Sequence, residues 1–114
     1  MDLIERRAKI ATFLELTVRH LDIDNAKVLP RDAAQIANCD RVCYDLVCFR
    51  ALAAAENALR LAYSLLNPTG RVVAWHQPSD QGFRQPHLQL RQIATAKTGV
   101  PGLVVSLYER CTAG

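Results

Sequence analysis

Glycine is missing from the first 69 residues of this 114-residue chain, and Pro30 is the only proline before Pro68. A stretch with one backbone breaker excludes a series of short strands joined by tight glycine turns and favours long helices. Aromatic residues make up only 6% of the chain. The core must therefore come from Leu, Ala, Val, Ile and Cys, a composition that suits packed helices better than sheets. No run approaches the ~20 apolar residues needed to cross a bilayer. The opening Met1-Asp2-Leu3-Ile4-Glu5-Arg6-Arg7 lacks the apolar segment of a signal peptide. A cytoplasmic location without a membrane partner is expected.

Glutamate is scarce, standing only at 5, 15, 56 and 109. This excludes the paired Glu-x-x-Glu sets by which all-helical nucleotide pyrophosphohydrolases hold magnesium. There is no Gly-rich phosphate loop, no Gly-x-Ser-x-Gly and no His-Glu-x-x-His. The four cysteines, Cys39, Cys43, Cys48 and Cys111, match no zinc spacing; the first three, on a predicted helix, read as small buried hydrophobes, and Cys111 as an exposed residue near the terminus. No metal and no cofactor are expected.

Half of the residues are hydrophobic and 22% are charged, enough apolar material for one domain spanning 1–114. The net charge of +3 is unevenly placed: residues 1–66 hold nine basic and nine acidic groups, residues 67–114 five and two. The spacing of Leu3, Ile10, Leu14, Val18 and Leu21 predicts a helix over 3–21, with Asp2 and Glu5 as a capping box and Phe13 and Leu16 outside the stripe. A second helix is predicted from Asp32, as its N-cap, to Leu66, where Asn67-Pro68-Thr69-Gly70 stops it. At about 1.5 Å per residue it would be roughly 50 Å long, with an exposed Glu56–Arg60 pair and an apolar face too wide for one neighbour. Every glycine and four of the five prolines lie from Pro68 onward. There Pro86 to Thr98 reads as a third helix, while Val72–Trp75 and Leu103–Tyr108 read equally as strands or short helices. The fold class expected is all-α (mainly α), a small helical bundle around a long central helix, with room for one short C-terminal β-pair.

The chemistry-bearing cluster is Arg71, Trp75, His76, Arg84, His87 and Arg91, where cations, imidazoles and an indole gather near the loop Pro78-Ser79-Asp80-Gln81-Gly82. Such a set suits an anionic ligand or an RNA base. The stretch Asp45-Leu46-Val47-Cys48-Phe49-Arg50-Ala51-Leu52-Ala53-Ala54-Ala55-Glu56-Asn57-Ala58-Leu59-Arg60-Leu61 resembles the long helix of HEPN domains, small and often dimeric helical bundles, and the opening Leu3-Ile4-Glu5-Arg6-Arg7 is similar to their toxin members. The resemblance covers about residues 1–66. It implies a metal-independent ribonuclease or RNA-binding toxin in which Arg71 and His76, at a permitted Arg-to-His spacing, handle the RNA phosphate and 2′-hydroxyl. The spacing sits directly after the long helix, where the family has it on a later one.

Three functions follow as expectations. The first is a non-enzymatic helical interaction module, a homodimer or higher homo-oligomer that buries the over-wide face against a second copy. The second is the HEPN-like ribonuclease acting through Arg71 and His76. The third is a small-ligand binder with a pocket around Trp75.

Overall fold

The computed structural model describes residues 1–37, 44–50, 55–84 and 89–111. The chain divides into two compact units, Met1–Asp40 and Arg41–Gly114.

In the first unit, β1 (Asp2–Ile4) and β2 (Lys27–Leu29) pair in parallel, with Leu3 opposite Val28 and Ile4 opposite Leu29. A parallel pair needs a crossover, and α1 (Ala8–His20) supplies it, followed after β2 by the short α2 (Ala33–Ala37). Ala11 is buried and Ile10, Leu14 and Val18 are half-buried, while Phe13 and Leu16 stay exposed; of the predicted stripe, these middle positions hold, whereas Leu21 is exposed and Leu3 lies in β1. The helix is shorter than predicted. Asp2 lies in β1, and the cap of α1 is Arg7, which makes no side-chain capping bond. The end of α1 explains how a glycine-free stretch can turn. Asp22 adopts φ 53, Ile23 N–H donates to Val18 O at 3.0 Å and Asp22 N–H to Arg19 O at 3.2 Å. This is the left-handed helix stop usually made by glycine, and Asp is one of the few other residues that tolerate it.

The second unit is a four-stranded sheet in the order β3-β4-β6-β5. Its elements are β3 (Tyr44–Arg50), α3 (Ala55–Ser64), β4 (Leu66–His76), α4 (Gln81–Arg84), β5 (Leu90–Lys97) and β6 (Val104–Arg110). β3 and β4 are parallel and joined through α3, whereas β6 runs antiparallel to both β4 and β5. α3 and α4 lie on one sheet face. There Leu59, Ala62, Leu66, Val72, Ala74, Phe83, Leu90 and Tyr108 form the core, and Val47 and Phe49 of β3 pack against it. Leu59 is completely enclosed, a burial that stabilises by about 2–3 kcal/mol.

The all-α expectation is therefore corrected to α/β. The predicted 31–66 rod is α2, β3 and α3 in succession, and the predicted 86–98 helix is β5 over its described part. The run Val72–Trp75 belongs to β4, and β6 takes up most of the 103–108 run, so the two pair as strands. The physical reason lies in parallel pairing. Strands of βαβ units read as continuous apolar runs without alternation, so Leu46-Val47-Cys48-Phe49 beside an alanine-rich helix looks like more helix. The breadth of the supposed apolar face came from merging a strand with its neighbouring helix.

Asn67-Pro68-Thr69-Gly70 misled for another reason. Between the register pairs Tyr44–Leu66 and Leu46–Arg71, β4 carries three more residues than β3. Pro68 and Thr69 are exposed in this bulge, one of the places where a strand accepts proline. Gly70 is needed there because a Cβ would come within 2.6 Å of Leu66 Cδ1 and 2.9 Å of the Tyr44 carbonyl oxygen. Two smaller expectations concern contacts that do form. Arg60 donates to Glu56 at 2.9 Å on exposed α3, and Asp32 caps α2. Cys39 and Cys43 lie outside the described residues.

Candidate functional site

The predicted cluster spreads over both faces of the second sheet. Alternation along β4 sends Val72, Ala74 and His76 into the core face and Arg71, Val73 and Trp75 to the other. Arg71 and His76 are five positions apart, roughly 16 Å along a strand, and point to opposite faces. They do not converge on one phosphate. His76 is 4% exposed; its Nε2 lies 2.7 Å from Ser106 Oγ, its Nδ1 lies 2.8 Å from the Gln77 carbonyl oxygen, and its ring stacks on Phe83 at 4.3 Å. With Nδ1–H donating to that carbonyl, Nε2 is free to accept from the serine. Gln92 Nε2 donates to the same Ser106 oxygen at 2.9 Å. This is a satisfied buried network rather than an open acid–base pair.

Arg71 and Arg91 do come together, on either side of one carboxylate. Both are in register with Glu109 of the strand between them, and Arg91 forms an ion pair with Glu109 that raises the Arg91 pKa above its ordinary value. Their positive charge is thus partly answered within the sheet. Trp75 stands two positions further along the same face, opposite Val105. The Arg84 side chain and His87 lie outside the described residues. Among the described residues no group of three or more His, Cys, Asp or Glu is placed to hold a metal ion.

The arrangement with chemical potential lies in the first unit. In sheets built from βαβ units, ligands bind beyond the carboxyl ends of the parallel strands. β1 ends at Ile4 and is followed by Glu5; β2 ends at Leu29 and is followed within three residues by Asp32. Glu5 N–H donates to Leu29 O at 3.1 Å, so the backbone of Glu5 continues the ladder and fixes the residue at the strand end. Its carboxylate accepts from Arg7 Nε at 2.9 Å and from Arg7 N–H at 3.0 Å, both at Oε1. These bonds hold the Glu5 carboxyl below its ordinary value of 4.5. Its side chain is 18% exposed, so it is an ionised acceptor that is shielded but reachable. Asp32 Oδ1 accepts from Ala34 N–H at 3.0 Å and starts α2.

Two carboxylates at neighbouring carboxyl ends suit the hydroxyl and amino donors of a nucleoside. Sequence reasoning saw both residues but assigned both to helix caps. The signal that was available is a repeat: an apolar pair, Leu3-Ile4 or Val28-Leu29, then an acid, with a helix-length segment between.

A family model described as GidB, rRNA small subunit methyltransferase G, matches residues 1–92. No curated protein matches the chain. Among solved structures, MtNAS in complex with S-adenosylmethionine aligns with TM-score 0.72 at 14% identity, over 96% of this chain and 45% of that one. yhhF from Escherichia coli aligns with TM-score 0.75 at 16% identity, over 96% and 63%. An rRNA methylase from Streptococcus thermophilus aligns with TM-score 0.69 at 8% identity, over 96% and 72%. The chain thus spans under half of MtNAS and under two thirds of yhhF. At such identities these likenesses establish the α/β fold. The family match overturns the HEPN resemblance and, with it, both the non-enzymatic helical module and the HEPN-like ribonuclease.

Proposed function

Because the chain belongs to the GidB family of rRNA small subunit methyltransferases, we propose that it supplies the nucleoside-binding edge of an S-adenosylmethionine-dependent methyltransferase. The observation that carries this reading is the placement of Glu5 directly beyond the carboxyl end of β1, ionised and held by the following turn. A ribose diol presents two hydroxyl donors, which a carboxylate accepts; Oε1 of Glu5 is occupied by Arg7, and the remaining acceptor capacity of the carboxylate would serve the ribose. Asp32, at the end of β2, offers a second acceptor on the same edge for the amino group of the base. When bound, the cofactor supplies an electrophilic methyl group on a sulfonium; the residues of this chain bind and orient its nucleoside end.

The fit has a boundary. Sheets of this kind approach a nucleotide closely through a glycine-rich turn, and residues 1–69 contain no glycine. In this reading Glu5 and Asp32 hold the ribose and base of the cofactor. Two or three hydrogen bonds to ionised acceptors, each contributing about 1.5–3 kcal/mol, barely offset the cost of association, so weak binding is expected of these residues alone. The substrate class proposed is ribosomal RNA, with a cytoplasmic location to match; no helix described here is long and apolar enough to cross a membrane.

Equilibrium dialysis against labelled S-adenosylmethionine tests the reading. Weak retention is expected for the native chain, reduced at least about tenfold in Glu5→Ala, since a lost hydrogen bond to an ionised group costs about 1.4 kcal/mol or more. No retention by the native chain, or retention indifferent to Glu5, would overturn it. The pH dependence follows from the lowered Glu5 pKa. The acceptor stays ionised to lower pH than an ordinary glutamate, so affinity is expected to be lost at a more acidic pH than an unperturbed carboxyl with pKa 4.5 would give.

A further inference from the structure

We propose that the carboxyl end of the second sheet seats the RNA substrate, with Arg50 and Lys97 each holding a phosphate and the Trp75 indole stacking a base between them. The inference rests on the methyltransferase reading for the identity of the substrate. It uses strand ends alone, since the carboxyl end of a parallel strand is a loop-bearing, ligand-binding rim whatever strands or helices flank the sheet.

β3 ends at Arg50 and β4 at His76. The register sets Arg50 beside Trp75, Trp75 opposite Val105 and Val105 opposite Ala96, so one rung crosses all four strands. The next rung is His76, Val104 and Lys97. Neither rung holds an acid. At the opposite end of the sheet, the rung of Arg71, Glu109 and Arg91 has a carboxylate between its two cations, and Arg91 pairs with it. Arg50 and Lys97 form no ion pair among the described residues. The loop that leaves β4 brings one acid, Asp80, and its Oδ1 accepts from the Gly82 N–H at 3.1 Å.

The order of these side chains is what suits a polynucleotide. Alternation puts Arg50 and Trp75 on one face and Lys97, a rung further on, on the other. Three strand spacings, roughly 14 Å, separate the two cations, so they serve different phosphates. A single RNA strand lying across the rim meets guanidinium, indole and ammonium in turn. Phosphate contacts set the register of a nucleic acid, while an unstacked base finds an aromatic face. S-adenosylmethionine has no phosphate, and its one carboxylate would occupy only one of the two cations.

Titration of a short single-stranded oligoribonucleotide into the 114-residue chain, without cofactor, tests the assignment. Each cation that holds a phosphate contributes about −0.7 to the slope of log K against log salt. Arg50→Gln and Lys97→Gln should each make the slope shallower by about 0.7, and Arg71→Gln, at the other end of the same sheet, should leave it unchanged. The emission of Trp75, the one tryptophan of the chain, should be quenched on binding. Trp75→Ala should weaken binding about fivefold or more at an unchanged slope, with Trp75→Phe restoring most of it. Both cations are exposed, so their variants decide the matter even if Trp75→Ala fails to fold. Absence of binding, a slope indifferent to Arg50 and Lys97, an equal response from Arg71→Gln, or unquenched Trp75 emission would each overturn the proposal. So would a loss of S-adenosylmethionine retention in Arg50→Gln with RNA affinity intact, which would give the guanidinium to the cofactor carboxylate. Because the titration contains no cofactor, failure here leaves the dialysis test of Glu5 standing.

Discussion

The two units divide labour unequally. The second, Arg41–Gly114, owns the enclosed core: a four-stranded sheet roofed by α3, with eight buried hydrophobic residues in one cluster. The first, Met1–Asp40, has only Ala11 and Ile36 as buried hydrophobics among its described residues, yet it carries Glu5 and Asp32 at its strand ends. Stability resides apart from the cofactor-binding carboxylates, which sit on a β-α-β unit that buries little. Residues that bind a ligand belong at strand ends and loops, where polar groups remain reachable, and this costs the unit apolar contacts.

The sharpest way to break that comparison is Leu59→Ala. Leu59 is fully enclosed, and its truncation should destabilise the second unit by about 3 kcal/mol, read from amide exchange of β4 and β6. If exchange in α1 is unchanged, the units unfold separately; an equal loss in α1 would show one cooperative structure and void the distinction.

A smaller effect is expected at high pH. Burial pushes the Tyr108 phenol up to about 12, and its hydroxyl donates to the Phe83 carbonyl at 2.5 Å. A raised folded-state value means that the folded chain keeps a proton the unfolded chain releases near its ordinary 10.0. The contribution is thus complete below pH 10 and lost as pH rises towards 12. Alkaline denaturation followed by the fluorescence of Trp75, also in the second unit, should show this loss. Tyr108→Phe should remove the pH dependence while costing about 1–2 kcal/mol at neutrality, because the Phe83 carbonyl loses its donor. The smallest effect belongs to the first unit. Asp22 at φ 53 tolerates a conformation that glycine adopts freely, so Asp22→Gly should stabilise α1 by about 0.5–1 kcal/mol. Amide exchange of Val18 to Ile23 would show it.

How much of this was legible in the sequence differs between the units in the same way. The middle of the α1 stripe (Ile10, Leu14 and Val18), the Glu56–Arg60 pair and the cap at Asp32 follow from local spacing, and local spacing survives there. The strands did not announce themselves. Leu3-Ile4 and Val28-Leu29 are too short for a period, and Leu46–Phe49 lacks alternation in side-chain chemistry because even its open-face positions, Leu46 and Cys48, are apolar. Glycine-free turning was the other concealment: Asp22 performs it in a residue type that spacing rules treat as helix-compatible. The site was missed because its meaning is topological. Glu5 and Asp32 become neighbours only once β1 and β2 pair in parallel, and no local rule brings residues 27 apart onto one edge. Conversely Arg71 and His76, close in sequence, are separated by the alternation of the strand that holds them.

The central claim is that the carboxyl edge of β1 and β2 receives the nucleoside. Amide chemical-shift mapping of the 114-residue chain with S-adenosylhomocysteine at millimolar concentration tests it most directly. The account predicts saturable shifts concentrated at Ile4 to Arg7 and Leu29 to Ala34, absent in Glu5→Ala. Shifts confined to the surroundings of Arg71, Trp75 and Arg91, or no saturable shifts at all, would contradict it.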